Sequence, residues 1–331
     1  KIGPALAAGN TVVIKASEEA PAPLLEFARV VDQVGFPPGV VNLVTGFGEP
    51  CGRALTSHPM VDKVAFTGGV DTARHVVANT AHNLAPVTLE LGGKSPILVF
   101  DDADFDGAVN GAVAGNFGAS GQSCVAGSRV LVQSGVHDRF VDEVVRRAEA
   151  IRIGDPLADD TQMGPLATQA QLDRIEAVVA ESIDQGATLH TGGCRPEGLD
   201  AGWYYRPTVL GCADQDVRST RVELFGPVMS VLRFDTEDEA VAIANDTEFG
   251  LGAGIFTRDV SRVHRVARAI RSGIVWVNTY RAISPIAPFG GFGNSGSGRE
   301  AGVDAIHEFT TTKTVWINTS TEPMSNPFTI R

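Results

Sequence analysis

The sequence predicts an α/β protein of two domains, each built on a largely parallel sheet. Short β-branched runs alternate with helical patterns from the first residues onward, as strand–helix–strand units with right-handed crossovers require. A glycine pair, Gly92-Gly93, divides this texture from one of longer helices. With 331 residues and 43% hydrophobic side chains, the chain can bury core enough for two domains or one large one.

Each element has a local reason. Residues 11–15 (TVVIK) read as a buried strand, and the prolines that follow open a helix whose Leu24, Phe27, Ala28 and Val31 share one face. Gly35 and Pro37-Pro38 stop that helix. Residues 40–44 and 61–66 are the next strands, separated by a short helical stretch, and residues 87–91 close the first half. Beyond the glycine pair, the spacing predicts helices over 104–117, 137–151, 169–185, 237–245 and 260–272. It predicts strands over 97–100, 129–133 and 274–278. Residues 288–298, PFGGFGNSGSG, must be a loop with several positive-φ positions. Residues 309–318 alternate as a strand that would expose a pairing edge if left alone.

A formal charge of −12 argues against a protein that grips a nucleic-acid backbone or an anionic membrane, since both need clustered Lys and Arg. Small molecules and other protein subunits are the expected partners. Cys51, Cys124, Cys194 and Cys212 form no CxxC pair and no cluster with histidine. That pattern points to free thiols in a reducing, cytoplasmic compartment and to no bound metal. No apolar run is long enough to span a bilayer. The start at Lys1, without an initiator Met or a signal pattern, reads as a sequence that begins mid-chain.

Two side chains stand out as carriers of chemistry. Cys124 lies among small residues in FGASGQSCVAG, at the end of a predicted helix, where a substrate could approach the sulfur closely; a packed core thiol is the plain alternative. Glu90 ends an apolar strand in TLELGGK, where burial would raise its pKa toward the value a general base needs. A solvated carboxylate, or one paired with Lys94, is the alternative there.

The segments LELGGKSP (89–96), GQSC (121–124), ELFGPV (223–228), PFGG (288–291) and SGSGRE (295–300) occur together in the order and spacing of one family. The sequence resembles the NAD(P)-dependent aldehyde dehydrogenase superfamily, of the hydrolytic type, from Lys1 to about Asn318. The resemblance implies two α/β domains: residues 1–92 as the C-terminal part of a Rossmann-like dinucleotide-binding domain, and 93–293 as the catalytic thiol domain. Residues 294–331 would be a return segment and oligomerisation strand. It implies that the Cys124 thiolate attacks an aldehyde to give a thiohemiacetal, with the oxyanion held partly by the cysteine's own N–H. Glu90 would then activate the water that hydrolyses the thioester, the mark of a hydrolytic rather than a coenzyme A-acylating enzyme. Lys1 and Glu300 resemble the pair that passes the proton away from the base; an ordinary ion pair of Glu300 with Arg299 is the alternative. Asn278 would support the active-site floor or make a plain structural hydrogen bond.

The same resemblance implies the cofactor contacts. Lys15 and Glu18 match the pair at the adenosine ribose, where a carboxylate repels a 2′-phosphate and so favours NAD, with NADP left open; a solvated strand end is the alternative. Gly46 belongs to a turn next to the adenine. Phe66, Thr67, Gly68 and Gly69 follow a strand and open a helix, an arrangement that presents N–H groups to a pyrophosphate. The family usually has Ser where Gly69 stands, which removes one hydroxyl contact. Leu91, Gly92, Glu223 and Phe225 would lie at the nicotinamide end.

The family's dinucleotide domain begins before Lys1, and an Asn that completes its oxyanion hole lies there. Loss of one such donor lowers rates on the order of a hundred- to a thousandfold, so the 331-residue piece alone is expected to be poorly soluble or inactive. The substrate is expected to be an uncharged aldehyde, because residues 118–123 and 280–288 at the entrance offer Arg281 as their one cation. A homodimer or homotetramer follows for the intact protein if residues 309–318 pair with a neighbour. Two competing functions are a cysteine hydrolase, which would need a histidine base that no segment supplies, and a catalytically inactive relative or fragment.

Overall fold

The computed structural model describes residues 1–329. Twelve strands occur among them: β1 Val12–Lys15, β2 Val41–Val44, β3 Val64–Thr67, β4 Val87–Glu90, β5 Pro96–Val99, β6 Arg129–Gln133, β7 Thr188–Thr191, β8 Thr208–Cys212, β9 Val228–Phe234, β10 Gly252–Phe256, β11 Ile274–Val277 and β12 Gly296–Ser297. They form three sheets. β1 and β2 pair in parallel, and a second sheet runs β12-β4-β3 with β12 antiparallel to β4. The third has seven strands in the order β11-β10-β5-β6-β9-β8-β7, parallel throughout except for the edge strand β7.

The seven-stranded sheet shows why its central strands read as unbroken apolar runs. Every residue of β5 and of β10 is buried, because helices cover both faces. Leu98, Leu131, Leu210 and Leu232 point to one face and pack with Leu172, Ile175 and Val179 of the helix Gln169–Asp184. Ile97, Val99, Val130 and Val231 point to the other, against Ala108 and Ala112 of the helix Phe105–Phe117 and Phe140 and Val144 of the helix His137–Glu149. Neighbouring residues of one strand thus serve two cores, as the period of two demands.

Several elements depart from expectation. The strand expected over 61–66 begins only at Val64, and the helix expected over 260–272 ends at Ala269. β7 to β10 fall in segments that the sequence left unassigned. β8 and β10 carry Gly211, Gly252 and Gly254, which weaken strand propensity, and β10 fills the space with neighbours: a Cβ at Gly252 or Gly254 would stand 2.8 Å from the Trp276 or Tyr280 ring. Residues 309–318, expected as a strand, are not one. A 3₁₀ stretch spans Val303–Phe309, and the chain beyond it joins no ladder, leaving Trp316 93% exposed. Alternation creates a strand only when an edge is at hand to pair with it.

One buried cation ties the large sheet together. Arg129 is fully buried at the start of β6, and its guanidinium donates to the Lys94 carbonyl at 3.0 Å, Gln215 Oε1 at 2.6 Å, the Ile243 carbonyl at 2.9 Å and the Ala244 carbonyl at 2.7 Å. The last two are the end of the helix Glu237–Asn245, where a positive charge is favoured. Burial pushes Arg129 down to about 10, still protonated at neutral pH. Arg129→Met leaves four acceptors without their donor, and we expect it to lower unfolding stability by about 3 kcal/mol or more. Urea denaturation measures this; a loss below about 1 kcal/mol would mean that the acceptors find other donors.

Candidate active site

The candidate nucleophile and base flank the passage from the three-stranded sheet into the seven-stranded one. Glu90 is the last residue of β4, between Thr67 of β3 and Gly296 of β12. The chain then turns through Gly92-Gly93 to start β5 at Pro96, beside Arg129 at the start of β6. Cys124 precedes β6. The helix expected over 104–117 ends at Phe117, and a turn over Gly118–Gly121, with Ala119, Ser120 and Gly121 at positive φ, reverses the chain before Cys124. Three bonds fix this reversal: Ser120 Oγ donates to the Gly164 carbonyl at 3.0 Å, Ala167 N donates to Gln122 Oε1 at 3.0 Å, and Tyr280 Oη donates to the Val125 carbonyl at 2.9 Å.

Glycine lets these pieces close up. A Cβ on Gly93 would stand 2.7 Å from the Cys124 carbonyl oxygen, and a Cβ on Gly92 would fall onto the Glu223 carboxylate. Gly93 N–H donates to Glu223 Oε1 at 3.1 Å. The two glycines therefore bring Cys124 and Glu223 against the segment that Glu90 begins.

Cys124 is half-buried, a free thiol, and burial pushes its pKa up; the negative charges of Glu223 and then Glu90 add to this, while the amides of Val125 and Cys124 oppose it. No histidine acts on it. Glu90 is 5% exposed, and neither carboxylate oxygen has a hydrogen-bond partner. Burial, and next the charge of Glu300, push Glu90 up to about 8, against the opposing pull of Lys1 and Arg299. The expected pair of Lys1 and Glu300 is formed directly, and Lys1 Nζ also donates to Thr67 Oγ1 at 2.6 Å. Backbone bonds of 2.6 and 2.7 Å between Phe289 and Glu300 hold the return segment, where Gly290 passes Glu90 so closely that a Cβ would lie 2.9 Å from Oε1. The alternative partner for Glu90 does not serve: Lys94 is 1% exposed, its Nζ is unpartnered, and burial pushes it down to about 7 on the side of Arg129, Cys212 and Glu223.

The remaining predicted residues form two groups. Lys15 and Glu18 make an ion pair of 3.1 Å at the end of β1, and Gly46, at φ +145°, follows β2 with its Cα against Cys51. This group lies on the two-stranded sheet and shares no hydrogen bond with the Cys124 cluster among the described residues. Phe66 and Thr67 end β3, and Gly68 N–H donates to the Glu90 carbonyl at 3.2 Å. Gly69 caps the helix Val70–Thr80 with nothing within 4 Å of its Cβ position, and no cap side chain closes off the first amides of that helix. Leu91 N–H donates to the Ser295 carbonyl at 3.1 Å, and Ser295 Oγ donates to the Gly92 carbonyl at 2.7 Å. Phe225 sits at φ 52°, its carbonyl held by Gln171 at 3.1 Å, while Arg174 donates to the Glu223 carbonyl at 2.8 Å.

The model of the "Aldehyde dehydrogenase family" matches residues 1–315. The chain is 55% identical over its whole length to a (Z)-2-((N-methylformamido)methylene)-5-hydroxybutyrolactone dehydrogenase of Acinetobacter baylyi, covering 68% of that protein. It is 46% identical, over 96% of its length, to a betaine aldehyde dehydrogenase of Brucella anthropi, covering 65% of it. A betaine aldehyde dehydrogenase point mutant from Staphylococcus aureus, solved in complex with NAD+, superimposes with a TM-score of 0.97 at 39% identity, over 99% of this chain and 67% of that one. The chain belongs to the aldehyde dehydrogenase family. It spans about two thirds of the length of these relatives.

Within this aldehyde dehydrogenase fold, two expected residues prove to be structural. Asn278, at φ 51°, exchanges two 3.0 Å hydrogen bonds with the backbone of Thr257 and is no part of the Cys124 cluster. Arg281 donates to the carbonyls of Ala114 and Gly118 at 3.4 and 3.2 Å, so it is committed to a helix end. Ser295, Gln171 and Arg174 were not singled out. Ser295 lies in the glycine-rich segment and could have been noticed as its fully buried hydroxyl; Gln171 and Arg174 face solvent-like positions of an ordinary helix and carry no sequence signal.

A carboxyl held far above its ordinary value of 4.5 makes stability depend on pH. Between 4.5 and about 8 the folded chain keeps a proton on Glu90 that the unfolded chain has released. This contribution is therefore full below 4.5, falls as pH rises, and is gone above about 8. Glu90→Gln cannot ionise, and we expect it to be more stable than the wild type at pH 9 by about 3 kcal/mol, with the gap closing toward pH 5. Urea titrations at both pH values test this, and a gap independent of pH would refute it.

Proposed function

We propose that this chain carries the thiol and the base of an NAD-linked aldehyde dehydrogenase that oxidises an aldehyde to a carboxylic acid. The observation that carries the reading is a half-buried thiol charge-coupled to a buried, unpartnered carboxylate held near pKa 8. Cys124, having lost its proton to water, attacks the aldehyde carbon through Sγ as the C=O bond opens to a thiohemiacetal oxyanion, and the amides of Cys124 and Val125, which already favour negative charge at the sulfur, support the thiolate. Bound NAD would supply the hydride acceptor by which the adduct on Cys124 becomes a thioester. Glu90 then takes a proton from water, the hydroxyl adds to the thioester, the C–S bond breaks, and the acid leaves. Glu300 and Lys1 stand next in line for the proton.

The cofactor residues fit the group they would hold. Uncapped amides at Gly69 and the next residues suit a pyrophosphate, and Glu18, lowered by a backbone N–H and by Lys15, presents a charge that would repel a 2′-phosphate. That favours NAD over NADP. The collision of a Gly92 Cβ with Glu223 supports Glu223 and Phe225 at the nicotinamide end. Sheet membership supports a division into residues 1–92, 93–293 and 294–331, since all seven strands of the large sheet fall between 96 and 277. Free thiols support a cytoplasmic setting, and no helix among the described residues is long and apolar enough to cross a membrane. With Arg281 engaged, an uncharged aldehyde is the substrate class favoured. Exposed Val315, Trp316 and Ile317 support a homodimer or homotetramer of the intact protein; elution as a monomer in gel filtration counts against it.

The deciding experiment follows NADH in the full-length enzyme. We expect Cys124→Ser to lose turnover by at least about a thousandfold. Glu90→Gln should release one equivalent of NADH and stall as the thioester, detectable as an added mass on Cys124. Steady turnover by either variant would overturn the reading. In the wild type, thioester hydrolysis should rise as pH increases through about 8, as Glu90 loses its proton. Single-turnover rates from pH 6 to 10 measure this; a flat profile argues for another base.

A further inference from the structure

Lys1, Glu300 and Glu90 come from three separate parts of the chain, and something must fix their mutual distance. Lys1 caps the helix Ile2–Ala7, Glu90 ends β4, and Glu300 closes the return segment. None of these elements is long. One short element touches all three: the 3₁₀ stretch Val303–Phe309.

Its half-buried Glu308 works in two directions. Oε2 accepts from Thr88 Oγ1 at 2.8 Å, two residues before Glu90, and pairs with Lys63 Nζ at 3.2 Å, ahead of β3. Oε1 accepts from the Arg299 N–H at 3.3 Å, next to Glu300. At the following residue, the Phe309 carbonyl accepts from Asn10 Nδ2 at 2.9 Å, and the same amide donates to the Ala5 carbonyl at 3.1 Å, in the helix that starts at Lys1. Gly298 allows the approach: a Cβ there would reach both Thr88 Cγ2 and, at 3.1 Å, Glu308 Oε1.

We infer that the 303–309 stretch is a brace that sets the spacing of the Lys1–Glu300–Glu90 cluster, with Glu308 as its positioning residue. Glu308 has no contact with Cys124 and acts through β4 and the return segment. It also acts by charge. The ionisable groups around Glu90 are Glu300 and Arg299 from the return segment, Lys1 from the first helix, Cys124 across the glycine turn, and Glu308; of these Glu300 and Glu308 raise it and Lys1 and Arg299 lower it. Lys63 faces Glu308 from the other side.

Two variants of the full-length protein separate the roles. Glu308→Gln removes the charge and keeps one of the two acceptor oxygens, for the Arg299 N–H, while its amide can donate to Thr88 Oγ1; Glu308→Ala removes both. Hydrogen exchange, read on peptides covering 289–300, should be near wild type in Glu308→Gln and at least about tenfold faster in Glu308→Ala. In both, the rise of thioester hydrolysis with pH should move down by roughly half a unit, since a negative charge has gone. This second arm rests on Glu90 being the base; the exchange arm does not. A wild type without NADH formation would sink the function proposed above and leave exchange to decide the brace. Wild-type exchange in Glu308→Ala, or an unmoved pH profile in an active Glu308→Gln, overturns the inference.

Discussion

A carboxylate buried without a hydrogen bond governs this structure. Water would solvate Glu90 better than the protein does, so folding holds it neutral and against its own preference. Everything around it has to tolerate that. Thr67 and Gly296 pin it from both sides through the backbone, so the side chain has nowhere else to go. The nearest lysine in sequence, Lys94, is turned into a separate buried site, and the two ions that could neutralise Glu90, Lys1 and Arg299, are engaged by Glu300 and by the carbonyls of Gly291 and Gly298.

The backbone between the sheets makes the arrangement possible. Glu223 and the Cys124 backbone close onto the turn that follows Glu90 because Gly92 and Gly93 leave no Cβ in the way. Arg129 then locks the far end of the same turn by its bond to the Lys94 carbonyl. A flexible turn would let the nucleophile drift from the base. Glycine gives closeness and the buried guanidinium gives rigidity, and each is of use only with the other.

The sequence made much of this legible, for unequal reasons. Pro96–Val99 announced itself because burial on both faces demands continuous apolar side chains; Val12–Lys15, expected as a buried strand, is a strand with Val13 48% exposed, since its two-stranded sheet leaves one face open. The glycines of β10 hid that strand, since its fitness lies in the rings of Trp276 and Tyr280, which arrive from the following strand and its loop. Residues 309–318 misled because their alternation states a capacity for pairing, and the chain supplies no edge. At the candidate site, Cys124, Glu90, Lys1 and Glu300 were singled out through a resemblance in motifs. Ser295 and Glu308 were not, because their importance lies in hydrogen bonds across more than two hundred residues.

On the proposed reading, the charge arrangement also orders the two halves of the reaction. Glu90 and Cys124 repel each other's negative forms, so the thiolate is easiest to form while Glu90 keeps its proton, which its value near 8 allows at neutral pH. Once the sulfur is acylated it carries no charge. Glu90 is then governed by burial and by the charges of Glu300, Lys1, Arg299 and Glu308, with no thiolate to hinder, at the step where its carboxylate is needed to take a proton from water. A base with an ordinary pKa would be charged throughout and would hinder the thiolate. The unpartnered burial of Glu90, costly to the fold, is what lets one carboxyl stand aside in the first step and act in the second.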